Sequence, residues 1–203
     1  VFMWGKKIIA ISDRNLAGSE FLTQVEKLAK AKIDAFVLRE KDLSEYEYYD
    51  LAKEVLGICV KYKTICFLHG YLTPTLKLEH KYFQAPLTLL RKESNLAKYF
   101  HILGTSVHSK EELLEAINYR ANHAFVGHIF ESSCKPNLKP YGMELLRDLL
   151  SFSSIPLYAI GGINAENIGA FRELNVAGVC MREVLMRENN PKKYLTLCKK
   201  EFL

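Results

Sequence analysis

Three short stretches of this chain carry residues whose types and spacing suit chemistry on a small anion. The first is Val37-Leu38-Arg39-Glu40-Lys41, at the end of an apolar run. Side chains alternate along a strand, so Leu38 and Glu40 share one side and Arg39 and Lys41 the other. Two cations at a strand end suit a carboxylate or phosphate clamp. Ion pairing of Arg39 with Glu40 on a rim is the structural alternative. The second stretch is Gly127-His128-Ile129-Phe130-Glu131-Ser132-Ser133-Cys134-Lys135. His128 suits general acid or base work, because a free imidazole titrates at about 6.5. Lys135 has the reach to hold an anion. Cys134 is a nucleophile by type, yet nothing beside it in sequence activates its thiol. The third is Ala159-Ile160-Gly161-Gly162-Ile163. Adjacent glycines let backbone N–H groups approach an anion, and a helix start capped by Asn164 would add its positive dipole end. A tight turn is the plain alternative. His108, in Thr105-Ser106-Val107-His108, is expected to play a supporting part.

Short β-rich apolar runs alternate with segments of helical period from end to end, and this pattern must position those residues. Strands are expected at Ile8–Ile11, Ala35–Leu38, Thr64–Leu68, Tyr82–Gln84, Ile102–Val107, Ala124–Gly127, Leu157–Ile160 and Ala177–Met181. A helix from Ser19 puts Phe21, Leu22, Val25, Leu28 and Ala29 on one face. The next runs from Ser44 to Tyr62, its start marked by the Ser44/Glu47 capping box. Pro74–Glu79 is a short helix, Leu87–Tyr99 a weakly amphipathic one, and Ser109 with Glu112 caps a helix through Tyr119. Met143–Leu150, a helix from Asn164 to Leu174, and Pro191–Phe202 complete the set. Arg39, His108, His128 and Gly161 each fall at or just past the C-terminal end of a strand. Eight strand–helix units, with no glycine fingerprint after the first strand, favour a closed (β/α)₈ TIM barrel over an open sheet. Residues 1–203 read as one such domain, without a linker.

Composition bounds the partners. A hydrophobic fraction of 49% and a charged fraction of 25% over 203 residues are those of a globular protein. No apolar run approaches the ~18 residues of a membrane span. The start, Val1-Phe2-Met3-Trp4-Gly5-Lys6-Lys7, lacks a signal-peptide layout, so a cytoplasmic location is expected. Net charge is +5, from 28 basic and 23 acidic residues. That excess draws small anions, but the scattered cations argue against nucleic acid. The five cysteines form no C-x-x-C pair and are odd in number, so neither disulfides nor a zinc site follows. No metal or cofactor is expected.

Together, Leu38-Arg39-Glu40-Lys41, Gly104-Thr105-Ser106-Val107-His108-Ser109, Gly127–Lys135 and Ala159–Ile163 resemble segments of the thiamin phosphate synthase superfamily, in order and over nearly the whole chain. Gly-His-Ile-Phe-Glu-x-x-Cys-Lys is most similar to its thiazole tautomerase branch, TenI. The resemblance implies a small barrel, commonly a homodimer, acting on a phosphorylated thiazole carboxylate. His128 would be the acid–base residue, and Arg39, Lys41, His108, Cys134 and Lys135 would contact substrate. Gly161, Gly162 and Arg182 would hold the phosphate.

The departures bear on which reaction is run. The synthase branch has an Asn-Asp pair after its third strand and an Asp after its fourth, for Mg²⁺. This chain has Phe67-Leu68-His69-Gly70 and Gln84-Ala85-Pro86-Leu87-Thr88 there. Val37 stands where that branch commonly has glutamine. Met181-Arg182-Glu183-Val184 replaces a phosphate-contacting serine, with Arg182 attracting and Glu183 repelling an anion. The expected activity is therefore the tautomerase. A synthase with an unusual metal site and a catalytically silent ligand sensor are the alternatives.

Overall fold

Parallel strands covered on both faces read as unbroken apolar runs. Those of this chain are β1 (Lys7–Ile11), β2 (Ala35–Leu38), β3 (Ile65–His69), β4 (Tyr82–Gln84), β5 (Ile102–Val107), β6 (His123–Gly127), β7 (Leu157–Ile160) and β8 (Gly178–Met181). In the computed structural model, which describes residues 5–131 and 138–203, they close a barrel in chain order. Every neighbouring pair is parallel, and β8 returns to β1 through Lys7↔Gly178 and Ala10↔Met181. This is the expected (β/α)₈ barrel.

Alternation sorts the side chains into two cores. Ile9, Ile11, Val37, Phe67, Phe125, Tyr158 and Cys180 fill the barrel. Ala10, Phe36, Leu38, Leu68, Phe83 and Val126 face outward, where Leu28, Val55, Leu113 and Leu149 of the helices meet them. Those helices are α1 (Arg14–Ala17), α2 (Phe21–Lys30), α3 (Glu45–Tyr62), α4 (Leu72–Lys77), α5 (Leu87–Lys92), α6 (Lys110–Asn118), α7 (Gly142–Phe152), α8 (Glu183–Arg187) and α9 (Pro191–Phe202). The Ser44/Glu47 capping box opens α3 as its sequence signals. None of the described helices is long and apolar enough to cross a membrane.

Four expectations need correction. The helix from Asn164 to Leu174 is absent; a turn and a 3₁₀ segment, Ile168–Phe171, take its place. Asparagine side chains compete with the helix here. Asn164 Oδ1 accepts from the N–H groups of Glu166 and Asn167, and Asn167 Oδ1 accepts from Asn164 N. The helix expected over Leu87–Tyr99 stops at Lys92, because Glu93 leaves helical geometry ahead of Ser94-Asn95, and a 3₁₀ turn follows at Leu96–Lys98. The four-residue α1 and five-residue α8 are too short to show a period and were not expected. Finally, β3 runs to His69 rather than ending at Leu68.

Candidate active site

At the C-terminal ends of the strands lies a cavity of about 600 Å³. Arg39, Lys41, His108, His128, Gly161, Gly162 and Arg182 all line it. The structure thus brings the predicted site residues together, apart from Cys134 and Lys135, which lie outside the described residues.

The wall at β2 and β3 is cationic by construction. Ser12 Oγ donates to the Glu40 carboxylate, and Arg14 N donates to both its oxygens at 3.2 Å. Arg39 N in turn donates to Ser12 Oγ at 2.7 Å. Glu40 is buried, and burial pushes its carboxyl upward against the pull of those two donors. It ties the end of β2 to the end of β1, while Arg39 and Lys41 face the cavity as alternation predicts. The Tyr48 hydroxyl, fully buried on α3, donates to Leu38 O at 2.7 Å and accepts from His69 N at 2.9 Å. Its ring stacks on Tyr71 at 4.1 Å.

His69 also lines this wall, and sequence reasoning missed it as a site residue. The signal was present: Phe67 points into the barrel, so the residue two further on does too. Burial first, then the neighbouring Arg39 and Lys41, push its pKa down to about 3, so the imidazole is neutral.

The opposite wall belongs to β6 and β7. His128 Nε2 lies 3.2 Å from Leu138 O. A carbonyl only accepts, so Nε2 is the donor in this contact. Nδ1 is buried and has no partner among the described residues. Tyr141 N donates to His128 O at 3.0 Å, and the Tyr141 ring sits 5.7 Å from the rings of both His128 and His108. His108 Nδ1 is 3.0 Å from Glu112 Oε2 on α6.

Gly161 and Gly162 have φ of +105° and +68°. A Cβ on Gly161 would fall 2.3 Å from His128 Cβ, and one on Gly162 would fall 2.2 Å from Glu131 O. The His128–Glu131 segment lies directly on them, with Ile129 N donating to Ile160 O and Phe130 N to Gly161 O. The pair is therefore required first for close packing beneath His128. No regular helix starts at Asn164, so the expected dipole contribution to anion binding falls away. Neither the Gly161 nor the Gly162 N–H donates to a described residue. Arg182 pairs with Asp13 at 3.0 Å, and Glu183 with Arg187 at 3.7 Å, one turn along α8. Both Arg182 and Glu183 border the cavity. Cys180 does as well, but burial pushes its thiol well up, which leaves it a poor nucleophile.

An eight-stranded parallel barrel with a cavity at its C-terminal mouth is of the (β/α)₈ class, whose sites lie at that end. More narrowly, this chain belongs to the thiamine monophosphate synthase family (TMP-TENI), whose profile matches residues 8–185. A protein of Aquifex aeolicus named putative thiamine-phosphate synthase 2 is 33% identical over 187 residues, covering 86% of this chain and 96% of that one. The thiamine-phosphate synthase of Fusobacterium nucleatum is 27% identical, covering 97% of each. A solved structure, thiamine phosphate pyrophosphorylase from Pyrococcus furiosus, superposes with a TM-score of 0.82 at 24% identity, over 97% of this chain and 95% of that one. At that identity the superposition speaks for the fold. These names match the synthase alternative rather than the tautomerase branch.

The Mg²⁺ that a synthase reaction implies finds no matching donor set. The ends of β3 and β4 supply His69-Gly70 and Ala85–Thr88 in place of carboxylates. No group of three or more His, Cys, Asp or Glu side chains able to hold a metal occurs among the described residues.

Proposed function

We propose that this chain is an enzyme of thiamin biosynthesis that binds a phosphorylated thiazole and moves a proton on its ring, as a thiazole tautomerase does. The observation that carries this reading is His128, an imidazole in the cavity wall across from the cations of β2, with no carboxylate at the ends of β3 and β4. One positioned imidazole takes a ring proton and returns one, and the gain of aromaticity drives the conversion. Arg39 and Lys41, with Lys135, bind the carboxylate end; Gly161, Gly162 and Arg182 hold the phosphate, and His108 and Cys134 border the ligand. A homodimer acting in the cytoplasm, without cofactor, belongs to the same proposal.

The second reading is a thiamin phosphate synthase, which joins a pyrimidine pyrophosphate to a thiazole phosphate. The family description and the names of the relatives favour it over the tautomerase. The donor sets at β3 and β4 favour the proton transfer. Incubation with both synthase substrates and Mg²⁺, beside a separate assay of tautomer conversion, separates the two. Tautomer conversion without pyrophosphate release is expected; pyrophosphate release would sink the first reading.

A further inference from the structure

Arg182 stands where the resemblance expects a serine, and the two side chains hold an anion differently. A serine hydroxyl lies close to the main chain and needs little orienting. An arginine carries its charge on a long stem, whose rotamer freedom must be frozen before the charge is useful. The fold freezes it beforehand. Register sets Ala10 of β1 opposite Met181 of β8, so Arg182 leaves β8 beside the chain running from Ile11 to Asp13. There Arg182 Nη1 meets Asp13 Oδ2 at 3.0 Å, with 20% and 21% of the two side chains exposed. Asp13 is itself fixed, because its Oδ1 accepts from Leu16 N at 3.3 Å and caps α1. The far end of α8 is tied down by Gln24, whose amide donates to Leu185 O at 2.6 Å and Glu188 O at 2.9 Å.

Arg182 lines the cavity and Asp13 does not, so the carboxylate stands behind the guanidinium rather than against a ligand. The nearby carboxylates are engaged elsewhere. Glu183 pairs with Arg187, and Glu40 accepts from Ser12 Oγ and Arg14 N. The ion pair is made at Nη1, and the other N–H groups of the rigid planar fork can meet a second anion. We propose that Asp13 is a positioning residue for Arg182, which it holds ready for ligands that carry a phosphate. This rests on the reading that Arg182 takes the ligand's phosphate. By Coulomb's law alone, a carboxylate near the site weakens anion binding and its removal strengthens it. Positioning gives the opposite sign.

Calorimetric titration of the full chain with the thiazole carboxylate phosphate, and with its unphosphorylated alcohol, reads that sign. Asp13→Asn removes the charge but keeps a cap of similar quality on α1, and Asp13→Ser is a second such variant. Either should weaken the phosphorylated ligand about two- to tenfold, the range for immobilising one long side chain. Binding of the alcohol should not change. Arg182→Ala should also weaken the phosphorylated ligand alone, and Asp13→Asn should add nothing in that background. Tighter or unchanged binding of the phosphorylated ligand in the Asp13 variants overturns the proposal. Equal weakening of both ligands does so too, since a merely structural residue would not discriminate between them. A further loss on adding Asp13→Asn to Arg182→Ala has the same force. If Arg182→Ala itself does not distinguish the two ligands, the phosphate role of Arg182 in the proposed function falls, and the inference with it. If the wild type binds neither thiazole, the whole proposed function falls, and inorganic pyrophosphate becomes the probe for the same series. Weaker pyrophosphate binding in Asp13→Asn, with no added effect beside Arg182→Ala, then supports the inference; any other result overturns it.

Discussion

Gly161 does two jobs at one atom's width. Its φ of +105° strains any other residue, and the space where a Cβ would stand is filled by His128 Cβ at 2.3 Å. Gly161→Ala must therefore push the His128 backbone out of place. We expect a destabilisation of about 1–3 kcal/mol in urea unfolding, together with loss of tautomer turnover, since a base displaced by an ångström no longer meets its proton. His128→Asn isolates the chemistry from the packing. It should cost at most about 1–3 kcal/mol in unfolding for the lost ring contacts and lower kcat by about 10²–10⁴ with little change in KM, measured on the thiazole carboxylate phosphate. A wild-type rate in that variant would hand the site to the ligand-sensing alternative.

Helix α3 supplies the support for the cationic wall, through a single phenol. Tyr48 is fully buried, and its hydroxyl joins the ends of β2 and β3 by bonds to Leu38 O and His69 N. Tyr48→Phe leaves a buried carbonyl and a buried N–H without that partner, so a loss of about 1–3 kcal/mol is expected in chemical denaturation. Affinity for an anion at Arg39 and Lys41 should fall with it, because the two strand ends lose their common tie. Such cross-element support is what the sequence conceals. Tyr48 reads there as one more aromatic on the apolar stripe of a helix. The helix itself was legible, since Ser44 and Glu47 announce its start and its period does the rest. The segment after Gly162 misled for the opposite reason. Asn164 looks like a helix cap, but Asn167 answers it across the turn and binds Gly162 O at 2.8 Å, so local side-chain bonds won over the helix. Strand ends were readable from alternation, which placed Arg39 and Lys41 correctly. His69 escaped only because its strand was ended one residue early.

At the scale of the whole barrel, imidazoles held wholly or largely out of water set the response to acid. His123 lies inside the ring with its Nε2 3.0 Å from Gln84 Oε1, in space kept open by Gly104, where a Cβ would fall 2.0 Å from that same oxygen. Burial alone pushes its pKa down to about 3. His69 reaches the same value through burial and the two nearby cations, and burial also lowers His80. Unfolding frees each ring to titrate at its ordinary value of about 6.5. Above that pH neither state binds a proton and the histidines make no demand. As pH falls below it the unfolded chain takes up protons that the native chain refuses, so stability declines until about pH 3, where the native rings titrate too. Each such histidine contributes a slope of about 1.4 kcal/mol per pH unit within that window. His69 and His123 together should make urea stability fall by roughly twice that for each unit of pH near 5, before the carboxylates begin to titrate. His123→Gln should remove one proton from that slope. A denaturation series between pH 5 and 7 with no such dependence would show that these rings take up protons in the native barrel as readily as in the unfolded chain.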